Sequence, residues 1–110
     1  MATISNLYID AGATYSNIIT VTASNGQALN LTGYTVASQM RKSYGSSTVY
    51  SFTSSVFNTN GQIRLQLTPQ QSQAIPPGRW LYDVEITSSA GIKTRVVEGI
   101  IVVNPEITQV

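Results

Sequence analysis

The residues best suited to chemistry crowd into one stretch. "WLYDVEITSSAGIKTRVVEG", Trp80 to Gly99, holds Asp83, Glu85, Lys93, Arg95 and Glu98, five of the eleven charged residues in the chain. Asp83 and Glu85 are two apart, so on a strand they share a face, with Cα atoms roughly 6.5 to 7 Å from one another. A pair of carboxylates at that order of separation is the equipment of a glycoside hydrolase. General acid catalysis, however, wants one carboxyl raised by burial or by a like charge, and Lys93 and Arg95 on a returning strand would hold both ionised. The pattern therefore points to a wet, salt-bridged face with no catalytic residue, and to a protein that is not an enzyme.

The wider composition leads the same way. The 110-residue chain contains no His and no Cys, which removes the commonest general base, thiol nucleophiles, disulfides and the usual zinc ligands. No cofactor, no metal and no small-molecule substrate are expected. Charged residues are 10% of the chain, against roughly 25% in ordinary soluble domains. Ser, Thr, Asn and Gln number 41, so the surface must be neutral and rich in hydroxyls and amides. With a net charge of +1 and no basic cluster beyond Arg41-Lys42, the chain lacks the stripe that phosphate neutralisation needs, and nucleic acid is not an expected partner. The N-terminus "MATISNLYID" has neither a basic n-region nor an apolar run, and Ile100 to Val103 is far too short to span a bilayer. Neither a signal peptide nor a membrane segment is expected.

Elements that position these residues follow from apolar spacing close to two and from abundant β-branched and aromatic residues. The expected fold class is all-β: an immunoglobulin-like sandwich of about seven antiparallel strands forming one domain, 1–110. The strands are expected at 6–10, 15–23, 34–43, 48–57, 62–68, 80–87 and 93–103. Asn25-Gly26 and Asn60-Gly61 are hairpin signals, with further turns at Gly12, Gly33, Gly45 and Gly91. One segment departs from the pattern. In "TPQQSQAIPPG", Thr68 is placed as N-cap, Pro69 at the first helical position and Gln71 three residues after the cap, which predicts a short helical turn near 69–74.

In the Trp80 strand, Trp80, Tyr82, Val84 and Ile86 should face inward and Leu81, Asp83, Glu85 and Thr87 outward. A three-residue loop Ser89-Ala90-Gly91 would then pair Glu85 with Arg95 and Val84 with Val96. Glu98 stands among apolar residues in "VVEGIIVV"; either a bulge at Gly99 swings it outward, or Arg64 or Arg79 pairs with it. Trp80 is either core or a sugar-stacking platform. Arg41 and Lys42, closing a strand, either grip an acidic neighbouring subunit or simply solubilise the strand end.

"LYIDAGATYSNIITVTASNGQALNLTGYTVASQMRK" and "GRWLYDVEITSSAGIKTRVVEGIIVVNP" together resemble the small immunoglobulin-like structural proteins of tailed bacteriophages, notably cyanophages, and the N-terminal domain of siphophage baseplate upper proteins. The likeness runs from Leu7 to Pro105 and rests on short turns and strands without a diagnostic motif. It implies a non-enzymatic virion protein at the tail, baseplate, neck or capsid surface, whose partners are other virion proteins and copies of itself. No family site residue transfers. From the residues themselves, exposed edge strands and the two termini are the expected contacts, with Leu7, Ile9, Ile107 and Val110 joining Arg41 and Lys42 as interface candidates. An adhesin-like, carbohydrate-binding module is the alternative.

Overall fold

A computed structural model describes residues 3–23 and 25–105. Among these residues nine strands and one helix follow one another: β1 (Thr3–Ile4), β2 (Leu7–Asp10), β3 (Tyr15–Thr20), β4 (Thr35–Arg41), β5 (Val49–Ser51), β6 (Thr53–Asn58), β7 (Gln62–Leu67), α1 (Pro69–Gln73), β8 (Gly78–Thr87) and β9 (Lys93–Asn104). They form two sheets. The larger has the order β1-β9-β8-β4-β5 with β2 also on β9, and the smaller has the order β3-β7-β6. In immunoglobulin terms β3, β7 and β6 stand where strands B, E and D do, and β4, β5, β8 and β9 where C, C′, F and G do. The all-β sandwich expected from the sequence is the observed fold.

One expected strand belongs to a longer edge and another is broken in two. Positions 6–10 belong to a longer edge, β1 and β2, interrupted at Ser5-Asn6, and 48–57 is divided at Phe52 as the chain passes from one sheet to the other. A further correction concerns direction. β1 and β2 pair with β9 in parallel, Thr3 opposite Val97 and Leu7 opposite Ile101, so the sheet is not wholly antiparallel. Alternation of side chains decides which face is wet but carries no information about the partner strand.

The core lies between the sheets. Ile9, Met40, Ile63, Leu65, Val84 and Ile101 are among the side chains fully withdrawn from water, and Trp80, Tyr82 and Ile86 are buried with them, as the alternation along β8 predicted. Ser38 is also buried, where its hydroxyl meets that of Ser54 across the sheets at 2.8 Å.

The predicted helix cap is present in full. Gln71 N–H donates to Thr68 Oγ1 at 3.2 Å, and Thr68 N–H donates to Gln71 Oε1 at 2.8 Å. This reciprocal arrangement satisfies two N–H groups that a helix start leaves unpartnered. Thr68→Ala should therefore lower stability by about 1 kcal/mol, read as a shift of the urea midpoint without a change in slope. An unshifted midpoint would mean that the cap contributes nothing. The helix is also tied down from its other side: Ser72, wholly buried, accepts from Gly12 N–H at 3.0 Å and donates to the Ala13 carbonyl at 2.8 Å.

Candidate functional site

The charged stretch forms the outer face of the larger sheet. The β8–β9 hairpin closes as predicted, with Gly91 at φ +84° and its N–H donating to the Ser88 carbonyl at 2.9 Å, and Glu85 is opposite Arg95. Beyond that pair the expected register fails. Val84 is opposite Val97, not Val96, because one extra residue is accommodated in β9 between them. Val96 and Val97 are both buried, and every later residue of β9 is thereby moved to the other face.

This bulge answers the question posed by Glu98. It does swing outward, but the bulge lies at Val96, not at Gly99, and the partner is neither Arg64 nor Arg79. Arg95 holds it: its guanidinium Nη1 is 3.3 Å from Glu98 Oε2, and its Nε is 3.2 Å from Asp83 Oδ2. Gly99 serves a different purpose. A Cβ there would fall well inside contact distance of the Ser5 carbonyl oxygen, so the missing side chain lets the N-terminal strand cross close to β9.

The strand registers arrange the outer face in rows. Arg41, Leu81 and Ile100 make one row; Gln39, Asp83, Glu98 and Ile4 make the next; Ala37, Glu85 and Arg95 make a third. Ile4 from β1 and Tyr44 from the turn after β4 help to wall this face, giving a groove of about 730 Å³. Both are strongly exposed, Ile4 at 73% and Tyr44 at 82%, as is Tyr8 at 70%, which extends the same face through its place opposite Val102. The floor joins the apolar pair Leu81 and Ile100 to a polar part in which Arg95 pairs with Asp83 and Glu98; Ile4 and Tyr44 stand at its rim.

Asp83 departs from expectation. Burial raises its carboxyl above the usual aspartate range, the neighbouring Glu85 adds to this, and Arg95 opposes them without prevailing. The ion pair taken alone suggests a stabilising carboxylate, whereas the balance of burial and like charge has the opposite sign. The balance prevails, because the Asp83 side chain is only 33% exposed and its charged form pays a desolvation cost. An acid whose folded pKa is raised favours the fold below its unfolded pKa and ceases to do so as pH rises through the folded value. Asp83→Asn should therefore flatten the fall in stability between acid and neutral pH and be no less stable than the parent at neutrality. Urea midpoints across that range would test this; a variant markedly weaker at neutral pH would show that the Arg95 pair dominates.

The sequence-derived interface residues land in several places. Leu7 and Ile9 are corrected outright: they are 6% and 0% exposed and belong to the core. Apolar residues occupy both faces of "LYI", and pairing with β9 turns Leu7 and Ile9 inward, leaving Tyr8 outside. Arg41 lines the groove, and its guanidinium donates to the Ser46 carbonyl at 2.7 Å, clasping the turn that carries Tyr44. Lys42 donates to the Arg79 carbonyl at 3.0 Å with its ammonium 5.0 Å from the Trp80 ring centroid. Both cations thus have structural duties inside the fold. Ile107 and Val110 lie outside the described residues. Trp80 is core: it is 2% exposed and its indole N–H donates to the Pro76 carbonyl at 2.9 Å. Ile4 and Tyr44 were missed, since neither alternation nor charge shows that a terminal strand and a turn will flank β8.

Among the described residues no group of three or more His, Cys, Asp or Glu side chains is placed to hold a metal ion, and no helix is long and apolar enough to cross a membrane. No protein-family model matches the chain, nor does any curated protein. Solved structures do share its shape. The SrpA adhesin of Streptococcus sanguinis superposes with a TM-score of 0.52 at 14% identity, over 96% of this chain and 56% of the adhesin chain. A family 123 glycoside hydrolase from Clostridium perfringens superposes with a TM-score of 0.40 at 9% identity, over 96% of this chain and 24% of the enzyme. The chain thus spans about half of the adhesin and a quarter of the hydrolase. At such identity the adhesin attests the fold alone.

Proposed function

We propose that this chain is a non-enzymatic docking domain, a structural component of a tailed-phage virion, which seats a neighbouring protein on the outer face of its larger sheet. The observation that carries the docking mode is the exposure of Ile4, Tyr8 and Tyr44 on or beside one face. Large apolar and aromatic side chains around a depression are what an interface anchor requires. The floor suits the same role, for Arg95 already engages Asp83 and Glu98, leaving recognition to shape and apolar contact. Of the candidate catalytic pair Asp83 and Glu85, Asp83 is already engaged by the Arg95 guanidinium, which supports a non-catalytic reading. The phage setting rests on the resemblance of Leu7 to Pro105 alone.

Quantitative mass spectrometry of purified particles of the encoding phage, with the major capsid protein as reference, tests the assignment. Hundreds of copies would make it a capsid decoration, and a few to some dozens a tail, neck or baseplate component. Absence from the particle would overturn the virion role. An Ile4→Ser, Tyr44→Ser variant that still enters particles at the parental level would overturn the docking face.

Tyr44 favours a second role, that of an adhesin-like carbohydrate-binding module. Its exposed ring stands by a groove also lined by Gln39, Asp83 and Glu85, a mixture of aromatic face and hydrogen-bonding groups suited to sugars. A glycan array that registers binding by the parent and none by Tyr44→Ala would favour it over protein docking.

A further inference from the structure

The two sheets expose four edges, and three are guarded against pairing with another chain. β5 has only three residues; β1 and β2 are short and interrupted at Ser5-Asn6; β6 carries a register shift between Val56 and Asn58. Short strands and bulges are the usual protections of a sheet edge, along with charge and proline. β3 has none of them. It is six residues of regular strand, "YSNIIT", with no charged residue and no proline, and it terminates the order β3-β7-β6. Among the described residues its only backbone ladder is with β7. Among the described residues nothing pairs with its open side, which presents a row of N–H and C=O groups.

The side chains of β3 choose among possible occupants. Ser16, Ile18 and Thr20 lie on the outer face opposite Gln66, Arg64 and Gln62, and Ile18 is 41% exposed. If a second β3 is set antiparallel beside the first with Ile18 opposite Ile18, Ser16 of each copy meets Thr20 of the other. Asn17 meets Ile19 on the inner face. Every side chain keeps its face, because opposed residues in an antiparallel pair point the same way. An apolar pair occupies the centre and hydroxyl pairs flank it, both of which favour cross-strand contact. No charge of one copy's β3 confronts a charge of the other. The arrangement closes on itself through a two-fold axis and uses up the β3 edge of both copies, so pairing through β3 stops at two.

We infer that two copies of this chain join through β3, on a two-fold axis at Ile18, into one continuous sheet of the order β6-β7-β3-β3-β7-β6. This surface is separate from the groove on the larger sheet, so a dimer could form and still dock through that groove.

The chain contains no cysteine, which makes single-cysteine pairing a direct test. Opposed residues in an antiparallel pair have Cα atoms about 4.5 to 5.5 Å apart, within disulfide reach. Ile18→Cys should form a covalent dimer under mild oxidation. Ser16→Cys should form none alone and a heterodimer when mixed with Thr20→Cys. Sedimentation of the untagged parent should show a concentration-dependent dimer, weakened about tenfold or more by Ile18→Lys, which sets two like charges opposite one another. Circular dichroism would confirm that the lysine variant is folded, and the cysteine pairs give the geometry independently of it. A parent that sediments as a monomer at every concentration would overturn the inference. So would a dimer that Ile18→Lys leaves intact, or cross-links in another register. Loss of the dimer with particle entry retained would leave the docking role standing, and the reverse would separate the two in the other direction.

Discussion

Trp80→Ala should lower the stability of this protein by about 3 to 5 kcal/mol. The ring is 2% exposed, Tyr50 meets it edge-on with centroids 5.4 Å apart, and Lys42 lies over its face at 5.0 Å. Truncation would open a cavity in the core, strand the Pro76 carbonyl that the indole N–H now satisfies, and remove the ring over which the Lys42 ammonium lies. Since a domain of this size has only about 5 to 15 kcal/mol in hand, that is a large part of the whole. Urea unfolding followed by circular dichroism is the appropriate measurement, because the variant lacks the single tryptophan. Trp80→Phe should retain most of the packing and lose about 1 kcal/mol through the unsatisfied carbonyl. A loss below about 1 kcal/mol for Trp80→Ala would mean that the ring does not carry the core, and the sugar-platform role would return.

Trp80 also illustrates which features were legible in the sequence. A residue that starts a run of strict alternation has its face decided by its neighbours at two, four and six positions, and Tyr82, Val84 and Ile86 settle that face as dry. The Thr68 cap was legible for a similar reason, since a capping box is a contact within four residues. The Glu85–Arg95 pairing followed from loop length, glycine conformation and opposite charge. All three are local.

What escaped depends on contacts made across the fold. The Val96 bulge has a sequence mark, two adjacent valines before an out-of-phase Glu98, but the same mark is met by moving the bulge to Gly99. Only the alignment of the β9 end with β8 decides between them. The groove escaped for the same cause: its rows are assembled from four strands whose order alternation does not encode. Leu7 and Ile9 were mistaken for contact residues because a strand near the N-terminus was expected to be an exposed edge. Here it is an edge in hydrogen bonding and core in packing, and of its large apolar side chains Ile4 and Tyr8 are the exposed ones.

Gly99 is where local and distant constraints meet, and Gly99→Ala should therefore be costly out of proportion to one methyl group. Its φ is not positive, so backbone strain is not the cause. The obstacle is the Ser5 carbonyl, which the added Cβ would strike. That carbonyl cannot retreat freely, because Tyr82 O–H donates to it at 2.5 Å, Ser5 N–H donates to the Glu98 carbonyl at 2.9 Å, and Asn6 Oδ1 accepts from Ile100 N–H at 3.1 Å. Three bonds thus pin the kink between β1 and β2. Overpacking of a rigid contact costs about 1 to 3 kcal/mol, and freeing the kink would expose the Tyr82 hydroxyl, whose pKa burial pushes up to about 12. We expect a loss of about 3 kcal/mol with the β8–β9 hairpin intact. Hydrogen exchange should show protection lost at Ser5 and Ile100 but kept at Val84 and Ile101. Because the same kink positions Ile4 beside the groove, the variant should also enter particles less well than Thr68→Ala, even though both are destabilised. Parental exchange rates at Ser5 would mean that the N-terminal strand is not held by this crossing, and the wall of the groove would have to be attributed to Tyr44 alone.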